Sequence, residues 1–436
     1  MNYIPNIIFA IALILGVGYF IKNISKLRRN IKLGRDIDVS DNKSQRWKNM
    51  AMIALGQSKM VRRPIAGILH VIVYVGFIII NIEVLEIIID GLFGTHRVFS
   101  SLGSFYGFLI GAFEILALLV FVSVIVFWIR RNIIKLKRFW KAEMKSWPKN
   151  DANYILYFEM VLMTLFLLMN ATDIHFQEMN SGNTISQYIT PLFSGVTEGT
   201  LHIIERSAWW IHILGILVFL NYLYFSKHLH ILLAFPNTYY GSLKPKGEFN
   251  NLEAVTKEVM LMMDPNADPF AAPADDVEEE APEKFGASDV QDLNWVQLLN
   301  SYTCTECGRC TSECPANQTG KKLSPRKIMM DTRDRLEEVG KNIDSNNGTF
   351  QDDGKQLLND YITKEELWAC TSCNACVEAC PVSINPLSII LDMRRYLVME
   401  ESAAPVELNN MMTNIENNGA PWPYNQMDRL NWKDEA

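Results

Sequence analysis

Eight cysteines stand in two short runs, CTECGRCTSECP at 304–315 and CTSCNACVEACP at 370–381, and residues 1–303 contain none. Each run reads C-x2-C-x2-C-x3-C-P, which gives Cys304, Cys307, Cys310 and Cys314, then Cys370, Cys373, Cys376 and Cys380. Three thiolates at i, i+3 and i+6 on a tight loop reach three irons of one iron–sulfur cube, and the turn points the fourth cysteine away. Structural zinc takes two C-x2-C pairs held well apart, a poor fit to four cysteines within eleven residues. A secreted disulfide scaffold spreads its cysteines through a small chain. Bunched thiolates of this kind call instead for a reducing compartment. Neither run lacks a cysteine, so no open iron is expected and the chemistry is electron relay.

The spacing is that of two-cluster cubane ferredoxins, where the fourth cysteine of each run ligates the other cluster. The expected ligand sets are therefore Cys304, Cys307 and Cys310 with Cys380, and Cys370, Cys373 and Cys376 with Cys314. Fifty-five residues separate Cys314 from Cys370. PRKIMMDTRDRLEEVG (325–340) and LSIILDMRRYLVMEE (387–401) space their apolar residues helically, which predicts a mostly helical dicluster domain over 286–402.

The rest of the chain must hold these centres somewhere. Apolar residues make up 49% of the 436 and crowd into the first half, where five segments (4–22, 65–90, 104–129, 152–174 and 207–232) are long enough to span a bilayer. The first runs straight into Lys22, Lys26, Arg28 and Arg29, so it reads as an uncleaved span. Residues 22–63 carry twelve Lys/Arg and 130–149 carry eight, whereas 91–103 and 175–206 hold only Arg97 and Arg206. The positive-inside rule then places the N-terminus outside and residue 233 onward in the cytoplasm, in agreement with the cysteines. A net charge of −7 argues against nucleic acid as partner. The acidic, Pro-Ala-rich text after residue 251 predicts a flexible linker at 264–284, preceded by a short helix, 253–263, whose Met side is expected to pack. The tail after Ser402 is expected to dock loosely or stay disordered.

Of seven histidines, three lie where a haem ligand could. His212 and His230 are eighteen residues apart, ~27 Å and five whole turns along one helix, so both project from one face, while His228 lands ~160° away. His70, six residues into the second span, sits at the depth of His230, and the pair could hold one b haem. The bland alternative for each is a hydrogen bond to a neighbouring helix. His96 and His202 read as interfacial polar residues, and His175 as a weaker partner for His212. Glu83, Glu86, Glu114 and Glu159 are buried by position, either for proton transfer near a quinone or as protonated hydrogen-bonding acids.

ILHVIVYVGF around His70 and WIHILGILVFLNYLYFSKHLHI around His212 and His230 resemble the five-span cytochrome b subunit of respiratory nitrate reductase, the gamma-type family. That resemblance implies two b haems between the second and fifth spans: His70 with His230 for the inner one, and His212 for the outer. The partner of the outer haem would fall at Ile80, which cannot ligate. CTECGRCTSECPANQTGKKLSPR and the second cysteine run resemble the dicluster subunit of heterodisulfide reductase. Fusions of the two are similar to membrane electron transfer flavoprotein:menaquinone oxidoreductases. The resemblance implies a separate cysteine-rich (CCG-domain) iron–sulfur subunit, because this chain has no cysteine left to build one.

The expected architecture is mainly α, a five-helix transmembrane bundle followed by a helical two-[4Fe–4S] ferredoxin-like domain. Its parts are a membrane domain at 1–240, an acidic linker at 241–285, the dicluster domain at 286–402 and a tail at 403–436. The expected function is an oxidoreductase subunit of the inner membrane, carrying electrons from reduced electron transfer flavoprotein through two [4Fe–4S] clusters and haem b to menaquinone. One alternative is a quinol-dependent reductase of a heterodisulfide or sulfur compound. The other is a non-catalytic membrane anchor.

Overall fold

The computed structural model describes residues 3–265 and 284–434. Among them the chain is helical without named strands, and the only pairings of the β type are two isolated bridges, Arg35 with Asn294 and Leu358 with Ile362.

Five helices are long and apolar enough to cross a membrane: Ile4–Ile31, Pro64–Phe93, Ser104–Asn132, Trp147–Thr172 and Glu198–Phe225. In hydrocarbon every backbone amide must be satisfied within the segment, so an apolar run of this length has no alternative to helix. Pro64 starts the second span, where a missing N–H costs nothing, and Gly94 ends it at φ +70°. Close approach then replaces hydrophobic driving force. A Cβ added at Gly76 would lie 2.5 Å from Val120, and one at Gly91 would lie 2.6 Å from the Phe9 ring, so small residues let the second span meet the third and the first. The chain is a multi-pass membrane protein.

The fifth span differs from the expected 207–232. It begins at Glu198 and the α-helix stops at Tyr222; after a short turn Ser226 is extended (φ −114°, ψ 146°), and a new helix runs from His230 to Tyr239. The Ser226 hydroxyl accepts from the His228 amide, while Asp151 accepts from the Tyr222 hydroxyl at 2.6 Å and the Lys227 amide at 3.2 Å. Polar groups on the fourth span thus hold the break open, a feature that apolar periodicity cannot reveal.

The C-terminal half folds around Pro325–Ser345, whose Ile328, Met329, Leu336, Val339 and Ile343 face inward. It packs on Trp295–Thr303 and Pro386–Met399. One apolar core continues into the bundle, joining Leu27, Ile155, Phe219 and Leu229 to Leu298, Tyr302 and Leu336. The Arg35 amide donates to the Leu293 carbonyl and the Trp295 amide to the Arg35 carbonyl, and Asn30 donates to the Tyr302 hydroxyl. Residues 32–63, read from sequence only as a basic loop, contribute a helix (Lys43–Met50) that lies along His230–Tyr239.

The helix Glu253–Met263 forms as expected, but Met260, Met262 and Met263 are exposed rather than packed. Most of the anticipated linker, 266–283, lies outside the described residues. The tail carries a helix, Val406–Asn418, and a 3-10 segment, Gln426–Lys433, with none of their residues buried.

Candidate functional site

The two cysteine runs fold alike. In each, the backbone turns left-handed two and four residues after the first cysteine: Glu306 (φ 53°) and Gly308 (φ 69°), then Ser372 (φ 55°) and Asn374 (φ 60°). Short helices follow, Arg309–Glu313 and Ala375–Ala379, and these pack on one another. Glycine suits 308, where the backbone is left-handed and a Cβ would lie 2.5 Å from the Arg326 guanidinium.

All eight cysteines are free thiols. Cys304 lies near Cys307 and Cys380, and Cys310 near all three and also Cys376. Cys376 has Cys370, Cys314 and Cys373 as its neighbours. The fourth cysteine of each run thus lies toward the other run. Among the described residues no three His, Cys, Asp or Glu side chains close around a single metal-ion position. Burial pushes the Cys304 and Cys376 thiols up to about 12 and Cys380 up to about 11, so a bound cation is what would turn them into thiolates. The Ser372 amide points to the Cys370 sulfur at 3.4 Å, and the Ile384 amide to the Cys380 sulfur at 3.3 Å, the kind of contact that tunes a cluster's potential.

The two groups differ in surroundings. Cys373 is exposed. The Cys304–Cys310 loop instead faces the bundle: Arg138 and Arg309 lie near Cys307, and Lys59 near Cys380. Arg309 donates to the carbonyls of Lys59 and Met60, at 3.2 Å each, just before the second span. Glu306 is buried between Lys227 and Arg333; it pairs with both, with Arg333 at 2.8 Å, and their charges overcome the cost of burial to hold its carboxyl down at about 2. Arg326, fully buried, donates to Glu143 and to the Arg138 carbonyl.

Across this seam, the His70 and His230 rings face each other with centres 6.4 Å apart and planes 39° apart. Two axial imidazoles on one iron stand about 6 Å apart, from metal–nitrogen bonds of about 2 Å and ~1 Å from each nitrogen to its ring centre. The His230 Nδ1 donates to the Lys227 carbonyl at 3.0 Å, which leaves Nε2 for a ligand, and the His70 Nδ1 is covered without a partner. These residues fit a bis-histidine iron.

The broken helix corrects the argument against His228. With no continuous helix from 212 to 230, the two histidines do not share a face by periodicity. His228 lies 5.4 Å from the His230 ring and 3.7 Å from Glu159, a third imidazole in the same cluster. His212 is buried against Phe166 at 6.2 Å with its Nδ1 unpartnered, and Ile80 is packed in the same apolar cluster as Phe166. His175 lies tilted at 45° to His96 with ring centres 6.1 Å apart, and His96 reaches Asp173 at 3.2 Å. His202 lies on the surface near Glu205.

Two of the buried carboxylates have structural partners. Glu86 accepts from the Tyr106 hydroxyl and the Phe99 amide, and Glu114 from Asn170 and the amides of Ile185 and Ser186. One oxygen of Glu83 has none. Sequence reasoning missed Arg97, which ties this end together by donating to Asp173 at 2.7 Å and Asn170 at 2.9 Å; as the sole cation of residues 91–103 it was conspicuous, but only as a topology marker.

Comparison with known proteins agrees with the cysteine reading. The family model described as a 4Fe-4S dicluster domain matches residues 303–384. The chain is 30% identical over 463 aligned positions to the probable iron-sulfur-binding oxidoreductase FadF of Bacillus subtilis, covering 99% of this chain and 61% of that protein. It is 24% identical over 434 positions to the EtfAB:quinone oxidoreductase of Syntrophomonas wolfei, covering 92% and 55%. Over 108 positions it is 33% identical to one subunit of the ferredoxin/F(420)H(2)-dependent CoB-CoM heterodisulfide reductase of Methanosarcina acetivorans, covering 24% and 52%. The chain thus spans about three-fifths or less of the relatives it matches along most of its length. No solved structure matches it. This chain joins a five-span membrane bundle to a [4Fe–4S] dicluster domain.

Proposed function

We propose that this chain is an electron-transfer subunit linking a cytoplasmic donor to menaquinone in the inner membrane, with reduced electron transfer flavoprotein as the donor. The observation that carries the reading is the facing His70–His230 pair, set at the end of the bundle where the Cys304–Cys310 loop docks. Cys304, Cys307, Cys310 and Cys380 would hold one [4Fe–4S] cluster; Cys314, Cys370, Cys373 and Cys376 would hold the other. His70 and His230 would hold a b haem, in keeping with the gamma-type resemblance of residues 1–240. His212, without a histidine at position 80, would not hold a second. When bound, these groups supply one-electron steps between a two-electron donor and a two-electron quinone.

The chain's own residues set the direction of access. Cys373 lies at the surface, where a soluble partner can approach. The cations Arg138, Arg309 and Lys59 favour an added electron on the inner cluster. Glu159 and His228 stand beside the histidine pair as a proton-bearing couple for the quinone. The basic loops support a cytoplasmic position for this end. Similarity to a quinone oxidoreductase and to FadF supports the reading.

The likeness to a heterodisulfide reductase component favours a second reading, in which quinol drives reduction of a cytoplasmic disulfide. The test is a haem and iron assay with spectroscopy on the purified protein. One b haem and two clusters are expected, with His70→Ala removing the haem bands and sparing the iron–sulfur signal. A haem that survives His70→Ala would refute the axial pair, and clusters without any haem would move the assignment to a non-catalytic anchor.

A further inference from the structure

Where the second span begins and the third ends, a cavity of about 460 Å³ opens at the surface. Five cations line it, Arg62, Arg63, Arg130, Lys137 and Arg138, and no carboxylate does. Two of the five are compensated from outside the cavity: Arg62 by Glu378, and Arg63 by Glu313 at 2.6 Å. Among the described residues, Arg130, Lys137 and Arg138 form no ion pair, and the Arg138 Nε is covered with no hydrogen-bond partner. Arg138 also lies near Cys307 of the dicluster half, but Arg130 and Lys137 have no such neighbour among the described residues, and like charges gathered this way repel one another unless an anion sits among them.

The place of the cavity narrows the choice of anion. Pro64 is the first residue of one span and Arg130 lies in the last turn of another, so the cavity stands at headgroup depth. Directly beside it the surface is apolar, with Ile65, Ile68, Ile133 and Ile134 all more than half exposed. A cationic rim over an exposed aliphatic face matches an amphiphile with an anionic head, and guanidinium forks match the oxygens of a phosphate. We propose that this cavity binds the phosphate headgroup of an anionic membrane lipid. Arg326 of the dicluster half donates to the Arg138 carbonyl and to Glu143, so the loop that supplies Lys137 and Arg138 to the cavity also bears on that half. The lipid therefore braces the surface on which the inner cysteine loop rests.

Native mass spectrometry of the full chain in detergent tests this, with phosphatidylglycerol, phosphatidylcholine and inorganic phosphate as separate probes. Phosphatidylglycerol is expected to be retained in preference to phosphatidylcholine. Arg130→Gln with Lys137→Gln should weaken its retention about 25-fold, or about fivefold per lost cation, and Arg130→Lys with Lys137→Arg should keep it. Unchanged iron content in both variants shows that they fold. Equal retention of the two lipids, or full retention by the double Gln variant, would overturn the site. Capture of inorganic phosphate without headgroup preference would overturn the lipid as its occupant.

Discussion

Glu306 joins the inner cysteine loop to the turn that carries His230, and its replacement by glutamine should loosen that joint. The carboxylate is nearly fully buried, pairs with Lys227 and Arg333, and lies between Cys304 and Cys307. At the 2.8 Å separation of Arg333, an effective dielectric of about 20 gives roughly 6 kcal/mol of attraction before the cost of desolvation. Glutamine keeps the shape and removes the charge. Lys227 would retain Asp151 at 3.7 Å, and Arg333 would retain Asp334 at 3.0 Å, so neither cation is left wholly unpaired. Breaking a buried pair costs about 3–5 kcal/mol, and these residual partners place the expected loss near the lower end, about 3 kcal/mol. For a unit of roughly 120 residues with ~2.1 cal/mol/K of unfolding entropy each, that is a fall in Tm of about 12 °C. The assay is loss of iron–sulfur absorbance on anaerobic heating, repeated for Lys227→Met and the double variant. Coupling of at least about 2 kcal/mol is expected between the two sites. A Tm change under about 3 °C, or strictly additive effects, would refute the joint.

Four further outcomes follow from the geometry. Cys314→Ala should damage the same cluster as Cys370→Ala, leaving the other intact by electron paramagnetic resonance; loss of the Cys304–Cys310 cluster instead would break the crosswise pairing. His230→Ala should abolish the b-haem bands while His228→Ala keeps them, and the reverse result would exchange the two as ligand. Arg335→Leu strips a fully buried guanidinium from Asp289 and Asp353, and should lower stability by about 2–4 kcal/mol in thermal melts. Gly308→Ala meets both a left-handed backbone and the Arg326 guanidinium, so a loss of about 1–3 kcal/mol is expected, against none if the loop is slack.

Much of this architecture was legible because a few strong constraints act locally. Bilayer thickness dictates span length, and the starts of the second and third spans fall within a residue of those expected from hydropathy. Iron–sulfur ligation dictates cysteine spacing, and both runs fold with the same left-handed offsets. The fifth span departs from its expected course for an equally physical reason. Its apolar text continues past Ser226, but Asp151, seventy-five residues earlier, captures the Lys227 amide and the Tyr222 hydroxyl and breaks the helix. That break brings His228 into the cluster from which regular helical geometry excluded it. The seam was illegible as well. Arg29, Arg46 and Arg63 count only as inside-facing charge in a sequence and Lys227 falls within the expected fifth span, yet they reach Asp344, the Tyr239 and Gly241 carbonyls, Glu313 and Glu306 respectively. Long-range pairs of this kind leave no periodic trace.

The most direct test of the proposed relay is a rapid-mixing absorption measurement under anaerobic conditions, with reduced electron transfer flavoprotein added to the purified protein and its co-purifying partners before any quinol. The relay predicts bleaching of the iron–sulfur absorbance followed by reduced b-haem bands, and reoxidation of both on adding a menaquinone analogue. Failure of the haem to respond to the flavoprotein, with prompt reduction by menaquinol, would contradict that direction of flow and favour the disulfide-reducing reading.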